Sequence, residues 1–189
     1  MPDDIVDAWT ERLIALLLQI AAAAEQHGRR YFISSGLAVD LAFGGLSRAH
    51  EDIDFHPLEA DTEWWKEWFV AQGYVIDHDP DMAQFPYAFL VTNAQREYLA
   101  DVYPMREAAD GTVEITHTGD YEGRPWWAGK SWRALRRITY RGQRIVVEPY
   151  ETALAQKAGH VLWHGGMLDE KHLHDFRRAG MSLDDFMPQ

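Results

Sequence analysis

Cysteine is absent from the 189 residues, which excludes a disulfide framework and any thiolate metal site. The absence fits a reducing compartment, and a cytoplasmic location is expected. Long apolar runs are also missing. None reaches the ~18 residues of a membrane span, and the longest candidate, Leu13–Ala24, is interrupted by Gln19. The opening MPDDIVDAWTERL is acidic and lacks the basic n-region of a signal peptide. Positive charge is scarce: 18 Lys and Arg stand against 30 Asp and Glu, a formal net charge of −12. Such a surface repels nucleic acid, whose binding depends on Lys and Arg contacts to phosphate, and suits small or cationic partners. The exception is a local basic segment containing Arg124, Lys130, Arg133, Arg136, Arg137, Arg141 and Arg144, which reads as a solvated face of strands and turns.

The chain has enough apolar residues, 47%, for a real core. Its length fits one domain with a small appendage, divided here into residues 1–147 and a C-terminal helical part, residues 148–189.

The organising stretch is Ile33–Phe55, ISSGLAVDLAFGGLSRAHEDIDF. Tyr31-Phe32-Ile33 reads as a strand, Ser34-Ser35-Gly36 as a turn, Leu37–Phe43 as a short helix stopped by Gly44-Gly45, and Asp52-Ile53-Asp54-Phe55 as a second strand. Alternation along a strand puts Asp52 and Asp54 on one face, with Cα atoms about 6.5–7 Å apart. Carboxylates that close repel, and the usual reason to hold them together is a shared divalent cation such as Mg²⁺. The turn offers backbone N–H groups, two hydroxyls and a helix N-terminus, which together make a phosphate site. Gly36 would let the backbone approach the phosphates. Arg48 and His50, just before the carboxylate strand, read either as phosphate contacts or as loop anchors.

The pattern small-Gly-hydrophobic-Ala-Val-Asp followed by Leu-Ser-Arg-x-His-Glu-Asp-Ile-Asp resembles the aminoglycoside and lincosamide nucleotidyltransferases of the DNA polymerase β superfamily. The resemblance is specific at Ser35–Asp54, moderate at Phe89–Asp101 and loose beyond Ile138. It implies an α+β nucleotidyltransferase fold, a mixed twisted sheet with helices packed mainly on one side. It implies that Asp52 and Asp54 bind two Mg²⁺ ions with a third carboxylate from a later strand, and that Ser35 and Gly36 position the triphosphate. The family's turn has Gly-Gly or Gly-Ser; here serine replaces the first glycine. Lys157 is placed like a lysine that contacts the triphosphate in some members.

Elsewhere, Asp4–His27 reads as an amphipathic helix ended by Gly28, and Glu63–Gln72 as a helix whose Trp65, Trp68 and Phe69 pack in the core. Asp77–Gln84 is a polar loop without the glycine and distal glutamate of a calcium loop. Tyr87–Thr92 and Tyr98–Tyr103 form a hairpin. Asp101, alone in an apolar strand, needs a partner or a cation; either it pairs with a buried arginine or, as the resemblance implies, it is the third carboxylate. In that role it is either a metal ligand or the base that takes a proton from the acceptor hydroxyl. A strand or hairpin is expected around Val113–Thr116. Trp126 and Trp127 either floor an acceptor pocket or form a satellite cluster. A hairpin over Ile138–Val147 leads to helices Glu151–His164 and Leu168–Ala179. His160 and His164 stand i,i+4 but lack the Glu and third ligand of a zinc site.

The implied reaction moves a nucleoside monophosphate, AMP from Mg-ATP, to a hydroxyl of a small acceptor such as an aminoglycoside or lincosamide antibiotic, and the acidic balance suits a cationic one. The alternatives are a toxin-like nucleotidyltransferase modifying RNA or protein, and a non-catalytic nucleotide-binding module.

Overall fold

The computed structural model describes residues 7–116, 118, 130–131, 134–164 and 167–186, without the side chains of 81, 130–131 and 160–164. Trp126 and Trp127 and their expected pocket lie outside the described residues, as do the side chains of His160 and His164.

Helix α1, Ala8–His27, starts later than the sequence suggests. Asp7 caps it by accepting the Thr10 N–H at 2.7 Å, and Gly28 closes it at φ 64°. Its apolar stripe, Leu13, Ile14, Leu16, Leu17 and Ile20, is fully buried against the sheet. Then come β1 (Tyr31–Ile33), α2 (Ser35–Ala42), β2 (Ile53–Pro57), α3 (Thr62–Ala71), β3 (Val75–Asp77), β4 (Phe89–Thr92) and β5 (Tyr98–Val102). A hairpin pair β6 (Met105–Glu107) and β7 (Thr112–Ile115), the short β8 (Lys130–Ser131), β9 (Arg136–Tyr140), β10 (Gln143–Val147), α4 (Tyr150–His164) and α5 (Glu170–Arg178) complete the chain.

Seven strands form a mixed sheet in the order β3-β4-β5-β2-β1-β10-β9, and β6-β7-β8 form a separate sheet. The strand or hairpin expected around Val113–Thr116 is the β6–β7 hairpin; its third strand, β8, was not legible in the sequence. The main sheet is parallel at β2–β5 and β1–β10 and antiparallel elsewhere. Strand alternation separates two faces. Ile53 and Phe55 join Tyr31 and Ile33 in the main core with α1 and α3. Phe32 points the other way, into a cluster with Met105 and Val113 of the small sheet.

The tryptophans of α3 behave as core residues. Trp65 and Phe69 are fully buried, and the Trp65 ring meets Phe55 edge-on at 4.8 Å. Three arginines of the basic hairpin β9–β10 meet neighbouring acids: Arg141 pairs with Glu11 and Arg144 with Glu25 of α1, and Arg136 pairs with Glu151 of α4. The C-terminal helices pack on α2, where Val39 meets Ala153, Leu154, Ala158 and Phe176. Among the described residues no helix is long and apolar enough to cross a membrane.

Candidate active site

Asp54 of β2 and Asp101 of β5 are register partners on adjacent parallel strands, which sets their Cα atoms about 4.8 Å apart. Asp52 lies two residues before Asp54 and therefore on the same face. Burial is the first cause that pushes all three carboxyls above the ordinary range. Repulsion from Asp54 adds to it at Asp52, and repulsion from Asp101 adds to it at Asp54. Asp101 is pushed up to about 6; the hydrogen bond from Tyr98 opposes the shift and the Asp52 charge reinforces it. The sequence reading overlooked Tyr98. Its hydroxyl donates to Asp52 Oδ2 at 3.2 Å and also reaches Asp101, tying the two strands' carboxylates together.

The turn after β1 faces this cluster. Ser35 has φ 61°, a left-handed conformation that glycine adopts freely and that costs an ordinary residue roughly 1–2 kcal/mol. The serine thus keeps the backbone shape that glycine would hold in this turn. Its Oγ contacts Asp54 and accepts from Lys157 Nζ at 3.4 Å. Its N–H donates to Glu148 Oε1 at 2.8 Å. Glu148 is fully buried and follows Val147, the parallel register partner of Ile33. Only that long-range pairing brings Glu148 here, so no local sequence signal marks it.

The Arg48 guanidinium lies beside Gly36. A Cβ placed on it would sit 2.1 Å from Arg48 Nη2. Glycine is therefore needed for the guanidinium of Arg48 to lie over the turn. Arg48 in turn forms a two-pronged pair with Asp175 of α5, at 2.9 and 3.0 Å. Lys157 Nζ lies 3.3 Å from the same carboxylate. Asp175 is fully buried where α5 meets the turn.

His50 belongs to another network and serves as a loop anchor. It is buried, its Nε2 lies 2.9 Å from Asp40 Oδ2, and its backbone N–H donates to Thr10 Oγ1. Asp40 also accepts from Ser47 and lies at ion-pair distance from Arg178, and hydrogen bonds from His50 and Ser47 hold its carboxyl below the usual range despite burial. His56, on the same face as the aspartates, is likewise committed. Its Nδ1 donates to the Tyr103 carbonyl, so Nε2 accepts from Ser34 Oγ at 2.8 Å.

The structure thus gathers Asp52, Asp54, Asp101, Ser35, Gly36, Arg48 and Lys157 around one turn and sets His50 apart. The carboxylates are hard oxygen donors that repel one another, which suits a divalent cation. Among the described residues no three His, Asp or Glu side chains converge as a ready-made cage.

The family described as aminoglycoside-2''-adenylyltransferase matches residues 16–179. No curated protein matches the sequence significantly. Among solved structures, the chain is similar to the lincosamide antibiotic adenylyltransferase LnuA bound to lincomycin, at 21% identity and TM-score 0.63, covering 94% of this chain and 98% of that one. It is similar to ANT(2'')-Ia in complex with adenylyl-2''-tobramycin, at 18% identity and TM-score 0.63, covering 90% and 88%. A nucleotidyltransferase-like protein from Paracoccidioides brasiliensis matches at 16% identity and TM-score 0.52, covering 89% and 74%. At these identities the likeness is one of fold, and the fold is that of nucleotidyltransferases.

Proposed function

The chain belongs to the aminoglycoside-2''-adenylyltransferase family, and from that premise we propose that it transfers AMP from Mg-ATP to a hydroxyl of a small antibiotic of the aminoglycoside or lincosamide type. The observation that carries this reading is the placement of Asp54 beside Asp101 in register, with Asp52 two residues along and the Ser35–Lys157 contact opposite.

In this reading the acceptor oxygen attacks the α-phosphorus, the bond to the β-phosphate oxygen breaks, and pyrophosphate leaves. Asp101 accepts the proton of the acceptor hydroxyl. Asp52 and Asp54 would hold the two divalent cations, with Asp101 available as a third carboxylate. When bound, the cations neutralise triphosphate charge and acidify the attacking hydroxyl. Lys157, Arg48 and the Ser35–Gly36 turn hold the phosphates; Asp175 keeps the two cationic side chains extended toward the turn. A cationic acceptor also suits the net charge of −12. Against the RNA-modifying alternative, Arg136, Arg141 and Arg144 of the basic segment are each paired with an acid of this chain.

The test is thermal stability with ATP, GTP, CTP and UTP, each with and without Mg²⁺. A ligand that binds the native state raises the melting temperature by mass action. A shift that needs both ATP and Mg²⁺ is expected. A shift from another nucleotide alone would change the donor, and none with any would count against the triphosphate site.

A further inference from the structure

The hairpin β4–β5 is irregular beside the carboxylate cluster. Val91 pairs with Ala100, but the next residue, Thr92, pairs with Tyr98. β5 therefore uses two residues where β4 uses one, and Leu99 is the extra residue of a β-bulge. A bulge reverses the alternation of the strand that carries it. Leu99 and Ala100 are neighbours in sequence, yet both are buried in the main core with Val102. Regular alternation would have sent Tyr98 into that core beside Ala100 and Val102. The bulge turns it instead to the face of Asp101, where its hydroxyl reaches the carboxylates.

The ring of Tyr98 is placed by its backbone. The turn before it is closed by Asn93, whose backbone N–H donates to the Glu97 carbonyl at 3.0 Å. The Asn93 side chain accepts the N–H groups of Gln95 and Glu97. The hydroxyl is not needed to hold the ring there, so it is free to act on its neighbours.

That hydroxyl has one hydrogen for two acceptors. Its approach to Asp52 Oδ2, 3.2 Å, is long for an O–H···O bond. At Asp101 the bond from Tyr98 is the strongest influence after burial, whereas at Asp52 it ranks behind repulsion from Asp54. Asp101 is therefore the carboxylate it chiefly serves. A carboxylate with one oxygen held by a donor has its plane fixed and its other oxygen open to a proton.

We propose that Tyr98 is a positioning residue for AMP transfer: turned onto the carboxylate face by the Leu99 bulge, it donates to Asp101 and aims the free oxygen of that carboxylate at the acceptor hydroxyl. The proposal rests on the transfer reaction set out above and deepens it, because Tyr98 acts on the reaction only through Asp101.

The test compares wild type, Tyr98→Phe, Asp101→Asn and the double variant for AMP transfer from Mg-ATP to tobramycin and to lincomycin. Mg-ATP affinity is measured separately by calorimetry. Phenylalanine keeps the ring and removes the hydroxyl. Tyr98→Phe is expected to lose roughly tenfold or more of kcat, the worth of a hydrogen bond to a charged group. KM for both substrates and the Mg-ATP Kd should stay within about twofold of wild type. The double variant should turn over no more slowly than Asp101→Asn alone, since a residue that acts through another adds nothing once that one is gone. A merely structural tyrosine would lower the melting temperature and leave kcat per folded molecule unchanged. Wild-type kcat in Tyr98→Phe would overturn the proposal. So would a loss confined to Mg-ATP affinity, which would put the hydroxyl's role at Asp52, or a further drop in the double variant. A wild-type protein that transfers AMP to neither acceptor would instead remove the reaction on which the proposal rests, and the proposal with it.

Discussion

Three aspartates and one serine carry most of the chemistry argued above. Asp101 is assigned the proton, and its carboxyl is pushed up to about 6 by burial. Transfer should therefore fall as pH drops through about 6, because the base must be ionised to accept a proton. Asp101→Asn should retain ATP binding and lose about a hundredfold or more of turnover, measured as pyrophosphate release beside nucleotide titration. Ser35 holds φ 61°. Ser35→Gly should relieve about 1 kcal/mol of backbone cost while losing the hydroxyl that meets Asp54 and Lys157. Its melting temperature should hold or rise while its ATP affinity falls; a variant that is less stable yet binds ATP normally would contradict the role given to the hydroxyl. Asp52 and Asp54 were legible because strand alternation and mutual repulsion are local facts. Tyr98, only three residues before Asp101, was legible in principle, since a tyrosine near a lone strand carboxylate is a ready hydrogen-bond donor. Glu148 was not, because it reaches the turn only through the parallel pairing of β1 with β10.

At the scale of elements, α5 is the part whose position explains several side chains at once. Asp175 holds Arg48 and Lys157, His174 meets Ser47, and Arg178 reaches Asp40 and the Gly45 carbonyl. The sequence locates this helix, but helical periodicity does not say which loop it docks on. Breaking the buried Arg48–Asp175 pair leaves a desolvated cation behind. Asp175→Asn should cost about 3 kcal/mol in chemical denaturation and weaken ATP binding. Gly36→Ala should displace the Arg48 guanidinium and reproduce part of both effects. Normal ATP affinity in both variants would show that α5 does not organise the phosphate side of the turn. The hairpins β4–β5 and β9–β10 were legible from alternation and turn residues. The β6–β7 hairpin was legible only as a strand or hairpin around Val113, and the pairing of β8 was not, because strands this short carry too little pattern to fix a partner.

For the whole molecule, the carboxylate cluster couples stability to pH. Asp52, Asp54 and Asp101 all have folded pKa values above the unfolded range. The native state therefore binds more protons than the unfolded chain between roughly pH 4 and 6, and the stability gained there is lost as pH rises through the folded values. His172 opposes this, since burial lowers its pKa and acid favours the unfolded chain. Asp40, held low, makes its stabilising contribution above the unfolded value and loses it only below that range. Three raised carboxyls against one histidine predict a melting temperature that increases from pH 7.5 to 5.5 without metal. Mg²⁺ should flatten that slope, and Asp54→Asn should reduce it while abolishing transfer. A melting temperature that falls over this interval would mean the three groups are not held in mutual repulsion.

The most direct test of the transfer reaction is pyrophosphate release from Mg-ATP in the presence of aminoglycosides or lincosamides, with the acceptor's mass recorded. Release that depends on one acceptor, with one AMP added to that acceptor and with both signals lost in Asp101→Asn, is the predicted result. Turnover in Asp101→Asn equal to wild type, or pyrophosphate release with no AMP on any acceptor, would contradict it.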